Sequence, residues 1–199
     1  MSLVLFTCLT AGAAVAGWLS GRAARQRYER ELEREPELLA PPPPKVFRDA
    51  PFAVGDAVTR SASEEVVLEG ALGLVEDGAP VAVVFFGSGA RQERVLVAFP
   101  APRDEVLWLR EATDSAPPDP PPSWDAGGKV LERSRRLPVT ALRQGDVPAD
   151  WGRHIVFAEY QNDLGEKGVI LQGKARRLAL VGDALPLSWL ERWPGGTRP

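Results

Sequence analysis

The chain of 199 residues has one cysteine and one histidine. Cys8 alone cannot close an intrachain disulfide, so no disulfide framework holds the fold, which fits a reducing compartment. A zinc site drawn from Cys and His needs about four such ligands, or about three in a catalytic site. Cys8 and His154 supply two. No carboxylate spacing resembles an EF-hand loop. No cofactor or metal site is read from the sequence.

Positive charge is also scarce where a nucleic acid would need it. There are 24 Lys and Arg against 27 Asp and Glu, a net charge of −3. Six of the cations lie in residues 1–45 with five Glu, which leaves 18 cations and 22 anions from residue 46 onward. An acidic domain repels a phosphate backbone, so no nucleic-acid partner is expected.

Catalytic signatures are missing too. Gly87-Ser88-Gly89 follows an apolar run, but the third glycine of a dinucleotide loop would fall on Gln92. Ser88 is not in a nucleophile elbow, because Phe86 stands two residues before it. Gly165-Glu166-Lys167-Gly168 lacks the phosphate-loop pattern. His154 has a side chain suited to proton transfer, yet Glu159 lies five residues on, across a strand. No catalytic residue is assigned. Carboxylates gathered by the fold into a hydrolytic site remain the enzymatic alternative.

One long apolar stretch is present. Leu3 to Leu19 carries no charge for 17 residues, roughly 25 Å of helix, at the short end of what spans a bilayer core. Trp18 occupies an interfacial position, and Arg22, Arg25 and Arg27 follow with no cation ahead of the stretch. The positive-inside rule then puts the C-terminal side in the cytoplasm. A membrane anchor over residues 1–21 is expected, with membrane lipid as its partner. The competing reading is a cleaved signal peptide at Ala14-Val15-Ala16 and a periplasmic domain. Ala13, Gly17 and Gly21 recur at spacing four, a small-residue face through which a homo-oligomer could form.

Residues 22–40 read as a charged helical stalk of strong helix formers, and residues 41–45 as a polyproline linker. Residues 46–199 hold about ten short β-type runs. Among them are Ala57–Arg60, Glu65–Glu76, Val81–Phe86, Glu93–Phe99 and Glu105–Arg110, then Lys129–Arg136, Val139–Arg143, Arg153–Gln161, Gly168–Gln172 and Arg177–Val181. Gly70 and Gly73 suggest bulges or bends. The run VAVVFF suggests a strand covered on both faces. A proline-rich loop, 115–123, joins two halves, and Leu187–Trp193 reads as one or two helical turns. The expected fold is mainly β: an antiparallel β-sandwich or partly open barrel, preceded by an N-terminal transmembrane helix and helical stalk. Trp108, Trp189 and Trp193 fall in apolar patterns and are expected in the core. Trp124 and Trp151 fall in loops and are the candidate partner contacts.

Several short motifs occur in a familiar order. They are Val54-Gly55-Asp56, Leu68-Glu69-Gly70, Trp108-Leu109, Glu159-Tyr160 with Gly165, then Gly173 and Trp193-Pro194-Gly195. On these, residues 52–196 resemble the bacterial domain-of-unknown-function family numbered 4178. The resemblance implies a β domain and supplies no reaction and no site residues. The expected function is a non-catalytic, membrane-tethered module that binds an unidentified protein partner at the cytoplasmic face of a bacterial membrane.

Overall fold

The computed structural model describes residues 44–61, 64–89, 93–113, 116–147 and 151–196. The expected anchor and stalk, with Leu3, Ala13, Gly17, Trp18, Leu19, Gly21, Arg22 and Arg25, lie outside the described residues. Among the described residues no helix is long and apolar enough to cross a membrane.

One helical turn, α1 (Lys45–Arg48), precedes eleven strands: β1 (Ala57–Ser61), β2 (Glu64–Glu76), β3 (Ala79–Gly89), β4 (Glu93–Ala98), β5 (Glu105–Glu111), β6 (Ser123–Asp125), β7 (Val130–Gly145), β8 (His154–Gln161), β9 (Glu166–Gln172), β10 (Arg177–Pro186) and β11 (Glu191–Trp193). All pairings are antiparallel, in the order β11-β1-β2-β3-β4-β5-β10-β9-β8-β7-β6, and β2 also pairs with β7. That last pairing closes β2 to β5 and β7 to β10 into an eight-stranded barrel. Neither a sandwich nor an open barrel forms.

The closure depends on β2 changing partners midway. Its first residues pair with β1, Ala57 opposite Val67, and its later ones with β7, Gly70 opposite Gly145 to Val75 opposite Thr140. The β2–β3 register shifts between Leu68 and Gly70. The seam opens on two glycines facing each other, and the register shift supplies the expected irregularity beside Gly70. At the other end of β2, Asp77 and Gly78 turn the chain with φ of 48° and 83°, the left-handed pair that matches strand twist in a two-residue hairpin.

Every barrel strand sends alternate side chains inward. Leu72, Val84, Val97, Leu107, Leu180, Leu171, Phe157 and Val139, one from each strand, belong to one buried cluster. Eight strands enclose a space just wide enough for side chains to fill, and these aliphatic and aromatic groups fill it. The outer wall is covered in two places. Val46, Phe47, Phe52 and Val58 lie over Phe85, Leu96 and Trp108. Trp124 and Leu131 lie over Tyr160, Ile170 and Ala179. Val81–Phe86 is thus buried on both faces, as expected, with Phe52 edge-on to Phe85 at 5.9 Å.

Three local expectations are corrected. β7 runs unbroken through Pro138, because there it has β8 on one side and neither β6 nor β2 on the other. Proline is tolerated where no ladder donor is needed. Leu187–Trp193 is a short 3-10 turn followed by β11, which pairs with β1 and sets Arg192 opposite Val58. The buried Asp56 carboxylate accepts from the Ala53 backbone N–H at 2.7 Å and meets Arg192 Nε at 2.6 Å, and that ion pair holds β11 against the turn before β1. Trp189 is 68% exposed rather than in the core.

Candidate functional site

The two ends of the barrel differ. At one end, the chain between β4 and β5 drops Arg103 over the opening. Its guanidinium takes the Glu159 carboxylate with two nitrogens, Nη1 to Oε2 at 3.1 Å and Nη2 to Oε1, and Nε donates to Glu105 Oε1 at 2.6 Å. Its flat face lies 3.5 Å from the Phe99 ring centre. Burial pulls the Arg103 pKa down, but the hydrogen bond and charge of Glu159, then those of Glu105, outweigh it and hold it above the ordinary value. Glu159 is on the inward side of β8, two residues beyond Phe157. The group plugs this mouth with one cation shared by two carboxylates, a net charge of −1.

The other end is a cleft of about 240 Å³ lined by Glu69, Ser88, Glu93, Arg94, Glu111, Asp146 and Arg176 over a floor of Phe86, Val95, Leu178 and Leu180. Ser88 Oγ donates to Glu69 Oε1. Behind the floor, Trp151 stacks on Phe86 with ring centres 6.3 Å apart, and Arg176 stands 5.4 Å from the Trp151 ring. The fold has therefore gathered carboxylates that are remote in sequence. Among the described residues, no group of three or more His, Cys, Asp or Glu is placed to hold a metal ion. His154 is exposed at the start of β8 and pairs across to Thr140.

Neither candidate contact tryptophan is on the surface. Trp151 is fully buried behind the cleft floor, and Trp124 is buried on β6, edge-on to Tyr160 at 5.7 Å. A loop position in sequence does not reveal that the loop folds back on a barrel wall or across its end.

Sequence reasoning missed what the segment between β5 and β6 does. Ala116–Ser123 is held against the outer wall of β7, β8 and β9. Gln172 Nε2 donates to the Pro118 carbonyl at 2.8 Å, Arg133 Nη1 to Pro120 at 2.6 Å, Tyr160 Oη to Pro121 at 2.8 Å, and the Arg133 backbone N–H to Pro122 at 2.8 Å. Arg136 Nη2 meets Asp119 Oδ1 at 3.0 Å. Pro120 is buried. Proline has no N–H, so a run of prolines offers carbonyl acceptors alone, and the wall supplies the donors. That one-sidedness was the available signal. Burial pushes the Tyr160 phenol up to about 12; Asp119 adds to the rise while Arg133 and Arg136 oppose it.

Two consequences can be measured on Tyr160. Tyr160→Phe leaves the Pro121 carbonyl without its donor and is expected to cost about 1 kcal/mol in denaturant unfolding. The raised phenol pKa means that Tyr160 contributes stability in full below about pH 10, its unfolded value. That contribution is lost as pH climbs through about 12. Thermal melts across this window should show a smaller fall for Tyr160→Phe than for the parent chain.

The chain matches no protein-family model, no curated protein and no solved structure.

Proposed function

We propose that this chain is a non-catalytic protein-docking module, carried by an N-terminal membrane helix and displayed at the cytoplasmic face of a bacterial membrane. The observation that supports the docking reading is the filled barrel: side chains from all eight strands occupy its interior, so recognition falls to the outer wall and the loops. The wall already holds a proline-rich segment by its carbonyls, through side-chain and backbone donors, which is the chemistry of peptide recognition. The membrane assignment rests on the uncharged Leu3–Leu19 stretch and the arginines after it. The resemblance to the family numbered 4178 is kept as part of this proposal and adds a β domain without a reaction.

A pull-down of the full-length chain from detergent-solubilised membranes is expected to recover a partner in stoichiometric amount. Recovery of none would count against docking, and full-length chain left in the supernatant after ultracentrifugation would count against the anchor. The hydrolytic alternative draws on the carboxylates of the open cleft. It requires Glu69→Gln and Glu111→Gln to abolish an activity of the purified chain.

A further inference from the structure

We propose that the outer wall of β7, β8 and β9 is a polyproline-binding groove, filled in cis by Ala116–Ser123, and that a proline-rich segment of a partner protein can take its place. This rests on the docking reading above and names its partner class.

The occupant already in the groove defines what the groove recognises. In Ala116-Pro117-Pro118-Asp119-Pro120-Pro121-Pro122, every residue before Pro122 except Pro118 precedes a proline, and such residues are driven to extended, polyproline-like backbone. The chain bends at Pro118, Asp119 and Pro122; the restriction lapses at Pro118 and Pro122, which do not precede a proline. A segment so constrained loses little entropy on docking. It carries acceptors and almost no donors. The wall answers with donors: Gln172 from β9, Tyr160 from β8, and Arg133 from β7 twice, by side chain and by backbone. Arg136 adds a cation opposite the one charged residue of the segment.

All of these contacts but the last address backbone carbonyls. They read spacing and conformation rather than side-chain identity. A peptide from another protein with the same proline pattern and an acid between the prolines presents the same acceptors. The cis segment is a strong competitor, because tethering at both ends gives it an effective concentration on the order of millimolar. The groove is then closed to weak ligands and open to a longer or better-matched one.

The test uses the full-length chain and a fluorescent peptide with the sequence of Ala116–Ser123, followed by anisotropy. The parent chain is expected to bind it weakly. Replacing residues 116–122 with a Gly/Ser linker of equal length should tighten binding at least tenfold. Adding Tyr160→Phe to that variant should weaken it several-fold, the equivalent of one hydrogen bond. A linker variant that melts cooperatively and binds no better than the parent overturns the proposal and leaves the segment a structural strap. Should the linker variant fail to fold, Asp119→Arg decides. It sets like charges against each other at Arg136 and loosens the segment without removing it. At least a fivefold gain in peptide binding supports exchange, and no gain overturns it. In the pull-down, a partner retained in the presence of excess peptide would keep docking and remove the groove as its site. Peptide binding with no partner recovered would keep the groove and remove the docking reading.

Discussion

Gly70→Ala is expected to destabilise the domain by at least about 3 kcal/mol, read as a fall in denaturant midpoint. A Cβ at this position would lie 2.0 Å from the Asp146 carbonyl oxygen and 2.4 Å from its carbon. Both are backbone atoms, so no side chain can swing away. Gly70 is also where β2 leaves β1 for β7, and it faces Gly145 across the seam. Relief of the collision has to move the strand pair that closes the barrel. That puts at risk the Asp146 N–H bond to the Glu69 carbonyl at 2.8 Å and the pairs after it. The backbone of Gly70 is not in the left-handed region, so alanine is conformationally acceptable there and would otherwise stiffen the unfolded chain in the protein's favour. The whole loss is therefore attributable to contact. Gly78→Ala is the control: its φ is 83° with open space around it. It should cost about 1 kcal/mol from backbone conformation alone. Equal losses for the two variants would show that the seam tolerates a methyl group.

Strand content was legible because alternation and turn residues are local signals. The doubly covered VAVVFF run and the irregularity at Gly70 both follow from a few neighbouring residues. Closure was not legible, because it is a pairing between residues 70–75 and 140–145 that no local pattern specifies. The same distance in sequence hid the site. Arg103 meets Glu159 across 56 residues, and Gln172 meets Pro118 across 54. Proline misled in two opposite ways. Pro138 looked like a break between strands, and the open side of β7 absorbs it. The proline-rich run looked like a mere connection between two halves, whereas the carbonyls of Pro118, Pro120, Pro121 and Pro122 are bound. Leu187–Trp193 has the apolar spacing of a short helix, but the free edge of β1 draws its last residues into a strand, and Trp189 is left outside.

Arg103→Ala should cost about 3 kcal/mol, the lower end for breaking a buried ion pair, because the arginine side chain keeps 31% of its exposure while Glu159 keeps 7%. The loss has three parts. Glu159 is left as a charge inside the barrel mouth without a cation. Glu105, the second carboxylate on the same guanidinium, is left beside it. The Phe99 ring loses the flat group that covers it. Arg103→Lys separates these parts, because an ammonium restores charge but cannot donate to both Glu159 oxygens and Glu105 from one plane. It should recover less than half of the loss. Arg103→Met combined with Glu159→Leu removes the buried charge together with its partner and should stand within about 1 kcal/mol of the parent, since apolar replacements of buried pairs are often neutral or better. With the single variants Arg103→Met and Glu159→Leu completing the cycle, a large coupling energy between the two positions would locate the cost in the orphaned carboxylate. If the double variant were as unstable as Arg103→Met alone, the arginine would be acting through its cover of Phe99, and the plug would owe its stability to packing instead of charge.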